Sequence, residues 1–214
     1  MPRFLHICQD EKFINSAYKQ FEELYPEKND FYIYGCNKKE TKHIQLNENF
    51  HFVDSLSDTF KNIPENCIVI FHSLPDLVIE NLYLLPKSVK TVWFQFGFEV
   101  YEDKNLYSEN QLLDTITKKY FSINAPHENW KDKIKTNIFP FIRIFKKDLY
   151  YTYGEIASQK RKSKIKHLER INFWGTSFEE EAINLSKTLG YQRPFFNFTY
   201  YPIEKIIDTY ANRK

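Results

Sequence analysis

Short apolar runs alternate along the chain with longer segments whose apolar positions recur every three or four places. A continuous apolar run is the mark of a strand buried on both faces of a parallel sheet, and the wider spacing marks a helix with one apolar stripe. Arg3–Cys8 (RFLHIC) reads as the first strand. Glu11–Leu24 reads as a helix with Phe13, Ala17, Phe21 and Leu24 on its stripe, ended by Pro26 and the Asn29-Asp30 pair. Phe31–Tyr34 is a second strand, closed by Gly35. A β-α-β unit this short favours parallel strands with a right-handed crossover.

The polar stretch Lys38–Glu48 reads as a loop, and Phe50–Val53 as a short third strand. A helix follows over Ser55–Asn62, with Asp54 or Ser55 placed to cap it. Cys67–Phe71 (CIVIF) is the clearest interior strand. Leu74–Leu85 is helical in pattern, with Pro75 in its first turn and Pro86 closing it. Lys90–Phe96 is the next strand, ending at Gly97, and Leu106–Phe121 the next helix. Beyond Phe145 the pattern changes to a long basic helical stretch reaching about Leu168. Strand-like Arg170–Trp174, a helix over Phe178–Leu189, strand-like Pro194–Thr199 and a last helix over Ile203–Tyr210 complete it. The fold class is therefore α/β, a Rossmann-like open parallel sheet with flanking helices. The domains expected are residues 1–145, the sheet, and 146–214, a basic helix and linker region leading toward a second domain.

Composition narrows the chemistry. Only 5 glycines occur, and no Gly-rich phosphate-binding motif, which argues against a dinucleotide dehydrogenase or a P-loop enzyme. A net charge of +2 lacks the basic excess of a nucleic-acid binder. Cys8, Cys36 and Cys67 are far apart with no Cys-x-x-Cys pair, so no zinc site or other cofactor is expected, and the thiols suit a reducing compartment. No secretory leader and no apolar stretch of about 20 residues is evident, so a cytoplasmic location is expected. Lys160, Arg161, Lys162, Lys164, Lys166 and Arg170 form a basic run. Such a run attracts anionic head groups or a diphosphate, or is simply the solvated face of a helix.

In open parallel sheets ligands bind beyond the carboxyl ends of the strands, near a switch in strand order. Three such ends carry Gln9 and Asp10, His72 and Ser73, and Gly97 to Tyr101. Glu99 stands among Trp93, Phe94, Phe96, Phe98 and Tyr101. An apolar setting raises a carboxyl's pKa, which suits a general base working on a hydroxyl near neutral pH. The plain alternative is a solvated loop glutamate. His72 is a candidate acid, base or hydrogen-bond donor, or else a histidine that caps the strand end. Asp10 either caps the helix after it or faces the cleft. Gly97 allows close approach of the backbone. His6, inside the first strand, reads as a satisfied core histidine.

Three blocks together resemble a known family: Phe4-Leu5-His6-Ile7 followed by Asp10, Lys12 and Phe13; Val69-Ile70-Phe71-His72; and Trp93 through Tyr101 (WFQFGFEVY). The pattern is similar to the TDP-N-acetylfucosamine:lipid II N-acetylfucosaminyltransferases, glycosyltransferases of the GT-B type that serve surface polysaccharide synthesis. In that family a strand leads into a His-Gly pair and a later one into W-x-x-W-G-x-D-x-Y; here Ser73 replaces the glycine, Phe96 the second tryptophan and Glu99 the aspartate. Arg170-Ile171-Asn172-Phe173 looks like the strand that leads toward the family's second domain.

The resemblance covers the first half or so of the family's length, the acceptor side. It implies a nucleoside-diphosphate sugar donor bound by a further domain, a lipid-linked saccharide acceptor at the inner membrane face, and no metal. Glu99 and His72 would be catalytic, and Asp10, Ser73, Gly97 and Tyr101 would bind substrate. The chain alone would be inactive or nearly so. The alternatives are a non-catalytic saccharide- or nucleotide-binding module and a different small Rossmann-like enzyme.

Overall fold

A computed structural model describes residues 2–95 and 159–201. Of these, 2–95 and 165–201 belong to one compact unit, and 159–164 to a second. The first unit is a seven-stranded, all-parallel open sheet flanked by helices, a Rossmann-like α/β fold. Its strands are β1 (Arg3–Cys8), β2 (Asn29–Tyr34), β3 (Phe50–Val53), β4 (Cys67–Phe71), β5 (Lys90–Phe94), β6 (Phe173–Thr176) and β7 (Phe195–Asn197). They lie in the order β3-β2-β1-β4-β5-β6-β7, so the direction of winding reverses between β1 and β4. Among the described residues the helices are α1 (Ile14–Leu24), α2 (Leu56–Lys61), α3 (Asp76–Asn81, followed by a 3-10 turn at Leu82–Leu84), α4 (159–168) and α5 (Glu179–Leu189).

The strands form where apolar runs are densest, because an interior parallel strand must bury both faces. On one face Cys8, Phe31, Ile33, Phe50, Ile70, Val92 and Phe94 pack with Phe13, Ile14 and Ala17 at the start of α1. Gly175 on β6 is glycine for a steric reason: a Cβ there would sit 2.4 Å from Cδ1 of Phe94, whose ring covers it. That ring also stacks on Phe198 at 3.8 Å. The chain leaving β7 thus returns across the sheet. Tyr200 packs on Phe13 and Phe94, and Ser16 Oγ and Gln20 Nε2 donate to its carbonyl.

The expected strands and helices are largely met, with several bounds shifted: β5 ends at Phe94 rather than Phe96, α3 covers only Asp76–Asn81 of the expected Leu74–Leu85, and β7 only Phe195–Asn197 of Pro194–Thr199. The helix after β1 starts at Ile14, not Glu11, because the Asp10 carboxylate is engaged elsewhere and caps nothing. The strand expected at Arg170–Trp174 begins only at Phe173, since Arg170 and Ile171 form the turn that ends α4. The expected break between 1–145 and 146–214 is also replaced. β6 and β7 extend the same sheet, fastened where Asn172 brackets Thr91 through side chain and backbone. The helices expected over Leu106–Phe121 and Ile203–Tyr210 lie outside the described residues.

Candidate functional site

The reversal between β1 and β4 fixes where a ligand crevice lies, at the carboxyl edge of these two strands and their neighbours. The sequence placed Gln9, Asp10, His72 and Ser73 there, and the structure brings these loops together. Glu99, Gly97 and Tyr101 follow β5 but lie outside the described residues.

His72 is not a ligand-facing group. It is 1% exposed, and both ring nitrogens are engaged: Nε2 lies 3.0 Å from His6 Nδ1 and Nδ1 lies 2.9 Å from the Tyr200 hydroxyl. The protons along this chain follow from Asn29. Its Nδ2 donates to Glu22 Oε1 and to the Tyr25 carbonyl, so its Oδ1 is the atom 3.5 Å from His6 Nε2. His6 therefore carries its proton on Nε2 and accepts at Nδ1. His72 must then donate from Nε2, and Tyr200 donates its hydroxyl proton to His72 Nδ1. Burial drives both imidazoles neutral. His6 falls well below its ordinary pKa by desolvation, reinforced by the neighbouring His72, and His72 is lowered by desolvation to about 3. The His6 ring stacks on Phe31 at 4.0 Å. The catalytic role expected of His72 is thus corrected to that of a core histidine, which ties the segment after β7 to β4; a ring whose two nitrogens are both spent on His6 and Tyr200 has none left to exchange a proton with a bound substrate.

Asp10 neither caps α1 nor presents a free carboxylate. Its two oxygens accept from the backbone N–H groups of Lys42, His43 and Ile44 at 2.6, 3.0 and 2.9 Å, which holds the 38–48 loop against the end of β1. Burial pushes its pKa up, but the three donors outweigh this and hold the carboxyl below its usual range. Cys36 stands nearby, its thiol pKa raised by burial first and then by the Asp10 charge, so it stays protonated. At the far side of the edge, the Glu181 carboxylate accepts from the N–H groups of Ser177 and Phe178 at the start of α5. These two backbone nests, which would suit an anion, are filled by the chain's own carboxylates.

What remains at this edge is neutral. The ladder hydrogen bonds run one step past the strands, from His72 N to the Ile7 carbonyl and from Gln95 N to the Gly175 carbonyl. Counting on along the registers sets Gln9, Ser73, Gln95 and Thr176 level with one another across β1, β4, β5 and β6. Thr176 is spent on the Phe178 carbonyl. The side chains of Gln9, Ser73 and Gln95 have no hydrogen-bond partner among the described residues. Beside this row a hollow of about 390 Å³ opens at the end of β2, lined by Tyr34, Gly35, Asp54, Ser55, Ser57 and Asn81. Gly35 turns the chain away from it with φ at +81°, a value that favours glycine. A larger hollow, about 500 Å³, lies behind α5 against Trp174 and Phe195. It lies away from the switch point in strand order, which makes the β1–β4 edge the stronger site.

Two participants escaped sequence reasoning. Gln95 had a signal, a lone carboxamide inside the aromatic run Trp93-Phe94-Gln95-Phe96. Tyr200 had none, because it meets His72 across 128 residues. Of the basic run, Lys160, Arg161, Lys162 and Lys166 are exposed on α4, whereas Arg170 is committed to the Pro86 carbonyl. No group of His, Cys, Asp and Glu that could hold a metal occurs among the described residues, and no helix there is long and apolar enough to cross a membrane. No family model matches the chain, and no curated protein matches it in sequence.

Proposed function

We propose that this chain supplies the acceptor side of a glycosyl transfer, from a nucleoside-diphosphate sugar to a lipid-linked saccharide of surface polysaccharide. The observation that carries the reading is the neutral row Gln9, Ser73 and Gln95 at the switch-point edge, with the adjoining amide nests already occupied by Asp10 and Glu181. An edge of amides and a hydroxyl without an open anion cradle suits sugar hydroxyls rather than a diphosphate. That is the division of labour the resemblance to N-acetylfucosaminyltransferases implies. The general base assigned from that resemblance is Glu99, and the exposed lysines and Arg161 of α4 are the groups that would meet an anionic membrane surface.

The test is a transfer assay with the protein from its native cells. Vesicles carrying the lipid-linked saccharide are supplied with a panel of nucleoside-diphosphate sugars, and the lipid's mass is read by mass spectrometry. One added sugar, lost with Glu99→Gln, is the expected result. A second reading, a non-catalytic saccharide-binding module, is favoured by the inert chemistry of the described edge, where both histidines are buried and the free groups are carboxamides and a hydroxyl. Saccharide binding that survives Glu99→Gln, with no transfer by either protein, would establish that reading and remove the first.

A further inference from the structure

Gln95 presents a contradiction that a ligand resolves. It is 7% exposed, and both its Nε2 and Oε1 are buried without a hydrogen-bond partner. Native proteins satisfy nearly all buried polar side chains, because an amide stripped of water and given nothing in return destabilises the fold. Among the described residues nothing compels a glutamine here: Trp93, two places before it, is 2% exposed, and an apolar residue of the same length would pack there without that loss. The strand places it at the carboxyl edge, level with Ser73, whose hydroxyl is likewise uncommitted. An unsatisfied donor and an unsatisfied acceptor on one planar group, beside a free hydroxyl, form a two-point recognition element.

We infer that Gln95 is a ligand-binding residue whose carboxamide takes two adjacent hydroxyls of a sugar ring, Nε2 donating to one oxygen and Oε1 accepting from the other, with Ser73 serving a third polar atom. The charge of the surroundings selects this class. Among the described residues no cation stands in the row, and Asp10 and Glu181 hold the adjacent amide nests, so the described groups offer an anionic ligand no counter-charge. A vicinal diol offers both a donor and an acceptor at neighbouring positions, which a phosphate does not. This inference rests on the saccharide reading above and names the group that recognises the sugar.

The experiment pairs stability with binding, using the full chain and N,N′-diacetylchitobiose as the probe. Gln95→Leu and the unbranched Gln95→Met each remove the orphaned amide. Thermal unfolding without ligand is expected to shift upward by about 4 °C, because a buried group without a partner is lost. Binding of the disaccharide, followed by saturation-transfer NMR and titration, is expected to weaken by about ten-fold or more, since two hydrogen bonds to the sugar disappear. A fall in Tm for both variants overturns the inference, because it means that the amide is structurally satisfied. A rise in Tm with unchanged affinity also overturns it. Wild-type protein that binds neither this disaccharide nor other neutral saccharides removes the saccharide reading itself, whereas wild-type binding that survives both substitutions removes only the role of Gln95.

Discussion

Acid should unfold this protein well above the pH at which its carboxylates are protonated, and the buried histidine pair sets the size of the effect. His6 and His72 are 0% and 1% exposed and neutral in the folded state. In the unfolded chain each imidazole takes up a proton near its ordinary pKa of about 6.5. Below that pH the unfolded state binds more protons than the native state, so stability falls as pH falls. The contribution is intact above about pH 6.5 and drains away toward pH 3, where His72 itself would charge in place.

Each histidine costs about 1.4 kcal/mol per pH unit within that window. From pH 7 to pH 5 that is about 2 kcal/mol each and about 4 kcal/mol for the pair, a large share of the roughly 5–15 kcal/mol typical of a domain. With a urea m-value of about 2.5 kcal/mol/M, the unfolding midpoint moves down by about 1.6 M between these pH values. Asp10 does not confuse the result: its pKa is lowered from 3.8, so its share is lost only below that value. The assay is urea unfolding at pH 7, 6 and 5, repeated on His72→Gln, which removes one titrating group and halves the slope. A midpoint that stays within about 0.3 M across this range, or a slope untouched by His72→Gln, would refute the assignment of both rings as buried and neutral.

Two further outcomes follow from the packing. Gly175→Ala places a methyl group 2.4 Å from a carbon of the buried Phe94 ring, and a loss of about 2–3 kcal/mol in urea unfolding is expected; a change under 0.5 kcal/mol would show that the ring yields freely. Asp10→Ala strips three backbone N–H groups of their charged acceptor and should cost about 2 kcal/mol or more. Hydrogen exchange at Lys42, His43 and Ile44 reads this directly, since those amides should lose protection while the β1 amides keep theirs.

Much of the sheet was legible because interior parallel strands write themselves as continuous apolar runs. Arg3–Cys8, Phe50–Val53 and Cys67–Phe71 coincide with strands residue for residue. Residue type and place offer Asp54 or Ser55 as the cap of α2, and of the two it is Ser55 whose Oγ accepts from Asp58 N at 3.2 Å. His6 read correctly as a core histidine, since it interrupts a strand that otherwise buries both faces. These are local properties: each depends on a residue and its near neighbours along the chain.

The site was less legible because its chemistry is decided by partners remote in sequence. His72 looks the same on paper whether it faces solvent or His6 and Tyr200, and only the return of the chain across β5 chose the second. Asp10 had the right type and position for a helix cap, yet three amides at 42–44 offered it a better acceptor's place than one helix end. The membership of β6 and β7 in the first sheet was likewise hidden, because two short strands carry no mark of the sheet edge they join. The sequence by itself determined which segments become strands and helices, since burial on one face or two leaves its period in the apolar pattern. Only the tertiary structure decided which polar groups neutralise one another and which, like Gln95, are left wanting a partner, because hydrogen bonding and desolvation depend on distance in space and not on distance along the chain.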